Sequence, residues 1–499
     1  KRLKGKSSRR SRRQRERLIT IASTACCVFL CFVLYFSRRG GNDTSNSNDN
    51  NNRSGLGGGQ QQKRQRLGQP KLIPNDNHQQ QTREERRAAK EKRRAEQQTK
   101  REWELLPMRK ALEDPTFDAH ASNLAREILA AQTNLVNIDF APHSSVKDTH
   151  YNGVIAEFCP LQFRAQKDNP PELPMFRDVV VHSRCDQSNN KVRVDLKEVV
   201  DLAREFDEDN AGNGLPAILD LKGVVFHESR CGSTLAANSM MALNPEKHRV
   251  YSESAPPIAA IRGCGETYSE CTLEASANLL KDIIYLMGRS NDQREENLFF
   301  KFQSVTTRTM GTFRHAFPTT PWIFLYREPV QVMMSQLDVP RISKANCVRS
   351  KHSSPMIKDF IDETDYNWDD FTDEEFCAVH LATLCESALR NLADADGLGI
   401  AVAYSPDLVH DFLDTVFPKH FHTPVDRAGA DRVLKISGTY SKNRGQHAEG
   451  DFQSDSEAKI KNASEEIKSA AKLFLEPSYK RLEHSEYNID PDEGDDDAA

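Results

Sequence analysis

The chain has 499 residues, 28% of them charged, and a formal net charge of −5, and its length alone would allow two or three domains. Residues 1–105 contain little that could form a hydrophobic core. The remaining residues, about 390, are enough for one large folded domain or two modest ones and exclude a larger number. Ten of the first 17 residues are Lys or Arg, whereas residues 490–497 are almost all carboxylates. We interpret residues 1–17 as a basic cytosolic tail, and residues 483–499 as an acidic, solvated tail to which we assign no function.

Residues 18–36 (LITIASTACCVFLCFVLYF) contain no charged side chain. A helix of this length, rising about 1.5 Å per residue, just spans the hydrocarbon core of a membrane, so we predict a transmembrane helix. A cleaved signal peptide is the alternative, but it would have a shorter apolar region and a small-residue cleavage site, whereas Tyr35 and Phe36 run directly into Ser37-Arg38-Arg39. The basic residues ahead of the span place the amino terminus in the cytosol and the rest in a lumen or outside the cell.

Residues 37–105 are predicted to form a stem. Its first part is rich in Asn, Gln and Gly, a composition that does not repay the entropy of folding, and residues 82–104 have the mixed charges typical of a solvated helix. Nucleic-acid binding by this helix is not expected, because it also carries acidic residues and would lie in a lumen. Sequons at Asn42, Asn52 and Asn462 would be accessible to glycosylation there.

Eight cysteines follow the apolar span, and several could pair in an oxidising compartment. Cys264 and Cys271 are close enough in sequence for a local disulfide. None of the eight has metal-ligand spacing, such as Cys-x-x-Cys followed by a second pair, so no metal ion is expected.

From about residue 215, short apolar runs alternate with helical segments, which is typical of an α/β fold with a parallel sheet covered on both faces. Strands are predicted at residues 217–226, 298–303, 322–326, 400–404 and 433–436. Helices are predicted at residues 235–243, 273–287, 330–337, 374–392 and 408–417. Residues 106–214 are a lead-in region of unknown role, with a predicted helix at 123–136.

The most informative segment is VVFHESRCGSTLAANSM at residues 224–240. An apolar strand ends at Phe226, and a loop leads into a helix, so that backbone N–H groups and the positive helix end could cradle a phosphate. Arg230 adds a fixed positive charge, and Ser233 and Thr234 add hydroxyl donors. The alternative is an ordinary junction with Ser233 or Thr234 as the N-cap. It is not a Walker A loop, because Gly232 is followed by Ser233 and not by Lys.

The run Ser229-Arg230-Cys231-Gly232-Ser233-Thr234 resembles the loop with which the sulfotransferase family holds the 5′-phosphosulfate of 3′-phosphoadenosine 5′-phosphosulfate. Residues 322–337 (WIFLYREPVQVMMSQL) resemble the 3′-phosphate motif of that family, in which a strand ends in Arg-Asp-Pro and a Ser follows on the next helix. Arg327 and Ser335 match in type and spacing, whereas Glu328 replaces the usual Asp. The alternative is a turn with a surface ion pair.

Two weaker matches follow in the order that the family shows. Residues 403–408 resemble a late strand with an acidic turn. Ser441-Lys442-Asn443-Arg444-Gly445 resembles a degenerate form of the basic loop over the 3′-phosphate, where Arg444 and Gly445 would bind the donor, and a solvated basic loop is the alternative. The resemblance covers about residues 215–482 and implies a P-loop-like three-layer sandwich with a central parallel sheet.

The resemblance implies in-line transfer of a sulfuryl group to an acceptor hydroxyl. Arg230 would stabilise charge on the donor, and Glu253 would be the base, because carbohydrate-modifying members carry a Glu one strand after the loop helix. A surface role for Glu253 is the alternative, and His227 is a second candidate for the base. Lys301 either assists the transfer or extends its ammonium group to solvent. Cys231 is expected to be a small packing residue and not a nucleophile.

We therefore expect a Golgi-type, single-pass type II membrane sulfotransferase whose luminal domain acts on a glycan or a secreted protein. The short apolar span suits the thinner membranes of the early secretory route. The main alternative is an inactive nucleotide-binding or scaffold protein with the same fold. Arg230 in the first loop and the degenerate carboxyl-terminal loop are the two features that are consistent with a loss of catalytic turnover. A nucleotide kinase is disfavoured because the Walker lysine is missing. No motif indicates the acceptor or the oligomeric state.

Overall fold

The computed structural model describes residues 105–438 and 456–489, except for residues 213, 267–270, 340, 343–344, 350–354 and 363–365. The predicted transmembrane span, nearly all of the stem, Arg444 and Gly445 lie outside these residues. Within the described part of the chain, no helix is both long enough and apolar enough to cross a membrane.

The lead-in region folds into a three-stranded antiparallel sheet with helices around it, in the strand order β1-β2-β3. Its elements are α1 (Met108–Glu113), α2 (Ala119–Leu129), β1 (Asn134–Lys147), β2 (His150–Cys159), α3 (Phe163–Asp168), α4 (Phe176–His182), β3 (Val192–Asp195) and α5 (Leu196–Asp209).

The helix predicted at residues 123–136 is correct only in its first half. Asp118 caps α2 by accepting the backbone N–H of Ala121 over 2.8 Å, so the helix begins earlier than predicted. It ends at Leu129, and Ala131 follows with a left-handed φ of 54°. The last residues of the predicted helix therefore belong to β1.

A second, larger sheet forms the centre of the fold. The remaining strands are β4 (Ala217–Ile218), β5 (Asp220–His227), β6 (His248–Ser252), β7 (Arg289–Ser290), β8 (Asn297–Lys301), β9 (Trp322–Tyr326) and β10 (Gly399–Ala403). Five of them form a parallel sheet in the order β10-β9-β5-β8-β6, whereas β4 and β7 form a separate pair. This confirms the predicted α/β fold with a parallel sheet, which is compatible with a P-loop-like sandwich.

Both faces of the parallel sheet are buried. Along the central strands, Val225 and Ile323 belong to the apolar cluster on one face, whereas Phe226 and Phe324 belong to the cluster on the other. Because helices cover both faces, every residue of β9 is buried, and the strand has an unbroken apolar sequence. This explains why β9 occupies the predicted residues 322–326.

The helices that connect and follow these strands agree largely with the predictions. They are α6 (Ser233–Leu243), α7 (Ala255–Glu266), α8 (Leu273–Met287), α9 (Gly311–Ala316), α10 (Pro329–Leu337), α11 (Asn346–Arg349), α12 (Pro355–Asp362), α13 (Asp373–Ala393), α14 (Leu408–Asp411), α15 (Arg427–Ser437), α16 (Ser456–Asn462), α17 (Glu465–Ala470) and α18 (Glu476–Glu483). A π-helical segment, Phe412–His420, continues α14, and another, Ala471–Leu475, joins α17 to α18.

The strand predicted at residues 433–436 is wrong, because these residues lie in α15. Asp426 caps this helix by accepting the N–H of Gly429 over 2.6 Å. Arg432 in turn donates to the last carbonyl groups of α6, at 2.8 Å from Ala242 O and 2.7 Å from Leu243 O. A segment of four residues, three of them apolar, is too short for its period to distinguish a strand from a helix.

The lead-in region packs against the elements of the larger sheet. The hydroxyl of Tyr151 donates to the carboxylate of Asp282 in α8 over 2.6 Å. Lys167 forms a buried ion pair of 2.6 Å with Glu295, just ahead of β8. Residues 106–214 therefore share one hydrophobic core and one compact unit with the parallel sheet.

Two disulfides lie in the described part of the chain, Cys159–Cys185 and Cys347–Cys377. Cys271 is also disulfide-bonded, but the side chain of Cys264 is not among those described, so the predicted Cys264–Cys271 bridge stays a prediction. Cys231 and Cys385 are buried free thiols.

Candidate functional site

Three parts of the predicted site lie at one edge of the parallel sheet, because each of them follows the end of a strand. The loop of residues 228–232 follows β5, Glu253 follows β6, and Arg327 follows β9. The carboxyl ends of parallel strands lie at the same edge, and β5 lies between β8 and β9, where the chain changes its direction across the sheet. Ligands of open α/β sheets bind at such a point.

The loop after β5 has an unusual backbone. Ser229, Arg230 and Gly232 have left-handed φ angles of 83°, 57° and 85°. For Ser229 and Arg230 this conformation costs about 1–3 kcal/mol each, a strain that clusters at functional sites. Left-handed residues in a turn direct successive backbone N–H groups into a concave surface that suits an anion.

The start of α6 completes this concave surface. Its N-cap is Gly232, which has no side chain to accept the first N–H groups of the helix. Ser233 and Thr234 are the first two helical residues, so the alternative that one of them caps the helix is not what the structure shows. The uncapped helix end leaves N–H donors and a partial positive charge facing the loop.

Tyr404 connects the two predicted phosphate motifs. A Cβ atom on Gly232 would lie 2.8 Å from Cδ2 of Tyr404, so the ring packs directly against the loop. The guanidinium carbon of Arg327 lies 4.2 Å from the centre of the same ring. Sequence analysis placed Tyr404 in a weak motif and gave it no role.

The guanidinium of Arg327 is held in place by three further contacts. Its Nε donates to Gln331 over 2.9 Å, its Nη1 to the backbone oxygen of Arg230 over 3.3 Å, and its Nη2 to Ser456 over 3.1 Å. Arg327 is only 4% exposed, so it does not form the surface ion pair that was considered as an alternative.

Glu328, which stands where the resembled motif has Asp, caps the helix that follows. Its carboxylate is the N-cap of α10 and accepts the N–H groups of Val330 over 3.1 Å and Gln331 over 2.8 Å. Pro329 occupies the first turn, where a missing N–H costs nothing. The helix that carries Ser335 is therefore fixed relative to Arg327.

Each of the two predicted phosphate motifs contains one donor atom that has no hydrogen-bond partner among the residues that the structure describes. These two atoms are Nε of Arg230 and Oγ of Ser335, and both are buried. Leaving a buried donor unpaired costs about 1–3 kcal/mol. Both atoms can donate, as can the N–H groups at the start of α6, so this donor set suits phosphate oxygens. Within the described residues, no group of three or more His, Cys, Asp or Glu could hold a metal ion.

Glu253 and Lys301 form a second cluster beside the loop. Glu253 has a left-handed φ of 56°, and its N–H donates to Lys301 O over 2.7 Å. Its carboxylate forms an ion pair with the ammonium of Lys301, which is 1% exposed. Lys301 therefore does not snorkel to the surface, and Glu253 is a partly buried group with a fixed partner.

His227 joins this cluster to the loop. Its Nδ1 accepts the N–H of Ser229 over 2.9 Å, so the ring proton is on Nε2, which lies 2.9 Å from Phe302 O. Burial, and then the charge of Lys301, lower the pKa of His227 well below its usual value. Since both ring nitrogens are occupied and the ring is neutral, His227 is poorly placed to act as a base.

Cys231 packs inside the loop, as the sequence suggested. Its Sγ lies 3.2 Å from Leu325 O, and burial raises the pKa of the thiol to about 12. The thiol is therefore protonated and donates to the carbonyl group.

Glu228 is a site residue that sequence analysis missed. It is 1% exposed, and its carboxylate accepts the N–H of Arg327 over 2.9 Å. Burial raises the pKa of this carboxyl to about 8. An acid inside a loop that is predicted to bind phosphate is the signal that could have identified it.

Comparisons with protein-family models and with curated proteins found no match to this chain. The geometry of the site brings the loop of Arg230 and Arg327 together, and places Glu253 beside them through His227. Ser335 lies on the helix that Glu328 caps.

Proposed function

We propose that this chain is a membrane-anchored sulfotransferase that transfers a sulfuryl group from 3′-phosphoadenosine 5′-phosphosulfate to a hydroxyl of a glycan or a secreted protein. The observation that carries the proposal is the contact between the two motifs, in which Arg327 Nη1 lies 3.3 Å from Arg230 O. A donor with phosphates at both its 5′ and 3′ positions requires two such anion sites in one cleft.

The residues present fit this donor. The loop of Arg230 and the start of α6 would hold the 5′-phosphosulfate, and Arg327 with Ser335 would hold the 3′-phosphate. The buried, unpaired Nε of Arg230 and Oγ of Ser335 are the donors that the two phosphates would satisfy. We also propose that the fold of the domain is a P-loop-like three-layer sandwich.

The chemistry needs a base and stabilisation of the leaving group. A bond forms between the acceptor oxygen and sulfur while the bond from sulfur to the 5′-phosphate breaks, and the acceptor proton passes to a base. We assign this role to Glu253, because both ring nitrogens of His227 are already engaged. Arg230 would stabilise the charge on the departing phosphate without donating a proton.

Two disulfides and the predicted apolar span support a luminal location. Cys159–Cys185 and Cys347–Cys377 are typical of an oxidising compartment, which the proposed Golgi lumen provides. The sequon residue Asn462 is exposed at the end of α16, where a glycan could be attached.

An inactive nucleotide-binding or scaffold protein is the second candidate. The pairing of Glu253 with Lys301 favours it, because a carboxylate held by a buried ammonium is less free to approach an acceptor hydroxyl. This candidate shares the donor site and differs only in turnover.

The test uses the full-length protein in detergent. Adenosine 3′,5′-bisphosphate should raise its melting temperature, whereas ATP with magnesium should not. Labelled sulfate should pass from the donor to a pool of cell-surface glycans and secreted proteins, and Arg230→Ala should abolish this transfer. Arg294→Ala, at a side chain that is 61% exposed, is the matched control and should leave transfer unchanged.

If the nucleotide raises the melting temperature but no acceptor is labelled, the scaffold candidate is correct. If neither nucleotide shifts the melting temperature, the assignment of the site is wrong.

A further inference from the structure

Glu228 lies between the two predicted phosphate motifs and bonds to the strand that carries one of them. Its N–H donates to Leu325 O over 2.9 Å, and its Oε2 accepts the N–H of Arg327 over 2.9 Å. Glu228 thus joins the loop after β5 to the end of β9 by two hydrogen bonds. The carboxyl is buried and also interacts with the thiol of Cys385.

The titratable and charged groups that face this carboxyl come from the loop itself and from the four elements β9, α10, α13 and α18. They are Cys231 of the loop, Tyr326, Arg327 and Glu328 at the end of β9 and the start of α10, Cys385 of α13, and Tyr479 of α18. Arg327 contacts Glu228 through its backbone N–H, while its guanidinium is directed to Gln331, Arg230 and Ser456.

The charge of Glu228 matters because phosphates would lie next to it. A carboxylate buried beside two bound phosphates adds like-charge repulsion in a medium where charges are poorly screened. A neutral carboxylic acid still accepts the N–H of Arg327 through its carbonyl oxygen and adds no repulsion.

We propose that Glu228 is a positioning residue that supports nucleotide binding only in its protonated form, in which it holds Arg327 against the loop of Arg230. The inference rests on the proposed function, because the anion in question is the bisphosphate nucleotide. Binding at alkaline pH is then coupled to the uptake of one proton from solvent by the Glu228 carboxylate.

The pH range in which nucleotide affinity should change follows from the pKa of Glu228 in the free protein. Burial raises the pKa of Glu228 to about 8, so the free carboxyl is protonated at pH 7 and largely ionised at pH 9. Burial also raises the pKa of the thiol of Cys385 and of the hydroxyl of Tyr326, so these two neighbours keep their protons in this range. Affinity for the nucleotide should fall as pH rises above 8, by up to about tenfold per pH unit.

The experiment measures the Kd of adenosine 3′,5′-bisphosphate at pH 7, 8 and 9 for the full-length protein in detergent and for Glu228→Gln. The amide still accepts the N–H of Arg327 but does not titrate. We expect wild-type affinity to fall about tenfold between pH 7 and 9, most of it above pH 8, and the affinity of the variant to change less than twofold. Glu113→Gln, at a side chain that is 64% exposed, should behave as the wild type.

A second measurement needs no variant. Calorimetric titration of the wild type at pH 9, in two buffers of different ionisation enthalpy, should show uptake of nearly one proton per nucleotide bound, and almost none at pH 7. Tight binding without proton uptake, or an equal pH dependence in Glu228→Gln, overturns the inference and leaves the proposed function intact. A wild type that does not bind the nucleotide at any pH overturns the proposed function, and the inference with it.

Discussion

Arg327 reaches across the sheet edge to Arg230, although 97 residues separate them in the chain, and its Nη1 lies 3.3 Å from the backbone oxygen of Arg230. The contact places two positively charged side chains at adjacent strand ends. Two such cations without an anion between them would repel one another, so the arrangement fits a site that binds a polyanion.

Substitution of Arg327 should weaken nucleotide binding strongly. Hydrogen bonds to charged groups contribute about 1.5–3 kcal/mol, so Arg327→Ala should raise the Kd of adenosine 3′,5′-bisphosphate about 10- to 150-fold. Arg327→Lys should not restore binding, because an ammonium can neither stack on Tyr404 nor donate to three partners at fixed angles. Calorimetry gives the Kd, and Arg294→Ala is the control. Unchanged affinity in Arg327→Lys would contradict the assigned geometry.

Gly232 should be sensitive to the smallest possible substitution. In Gly232→Ala the new Cβ would lie 2.8 Å from Tyr404 and 2.9 Å from Leu408, at a φ of 85° that alanine rarely adopts. We expect a loss of about 1–3 kcal/mol in the free energy of unfolding. Gly311→Ala is the matched control, because nothing lies within 4 Å of its added Cβ and its φ is not left-handed. Equal urea midpoints for the two variants would argue against this loop conformation.

Removing Glu253 from its ion pair with Lys301 should lower the free energy of unfolding more than removing Lys301. Glu253→Gln leaves the buried ammonium of Lys301 without its partner and should cost about 3–5 kcal/mol. Lys301→Met should cost less, because the Glu253 side chain is 25% exposed and can reach solvent.

The double variant, Glu253→Gln with Lys301→Met, should recover part of the stability of Glu253→Gln but none of the transfer activity. Urea unfolding of the four proteins measures the coupling free energy. If the two single losses simply add, the side chains do not interact, and the pair is absent in solution.

Acidification should destabilise the protein through His227. Burial lowers the pKa of this histidine well below its usual value, so below about pH 6.5 the unfolded chain binds a proton that the folded chain excludes. The free energy of unfolding should therefore fall as pH falls below about 6.5, by about 1.4 kcal/mol per pH unit for this residue. His248, His380 and His420 also have lowered pKa values and add to the slope.

The contribution of His227 can be separated with His227→Gln, whose amide cannot titrate. Unfolding free energies at pH 7, 6 and 5.5 should show a slope that is shallower than that of the wild type, by about half a proton between pH 7 and 6 and by nearly one proton below pH 6. An identical slope in the variant would mean that His227 is protonated in the folded protein.

The predictions from sequence were most accurate where a strand had an unbroken apolar sequence or a helix had a clear start. Strand β9 and helix α10 were predicted well, because a fully buried parallel strand has an unbroken apolar sequence and Glu328-Pro329 is a helix start. The prediction failed at residues 433–436, where four residues in α15 were too few to show a period. The antiparallel strand β1 was not predicted, because its sequence, NLVNIDFAPHSSVK, mixes buried and exposed positions irregularly.

The amino-acid sequence by itself determined the α/β class with its parallel sheet, four of the five strands of that sheet, and the residue types of the two predicted phosphate motifs. These depend on interactions within a few residues, such as apolar runs, helix starts and motif spacing. Only the tertiary structure decided that Tyr404 and Ser456 contact Arg327, that Lys301 pairs with Glu253, and that Glu228 is buried. These features depend on long-range contacts and on desolvation, and both arise only when the strand ends meet at one edge of the sheet.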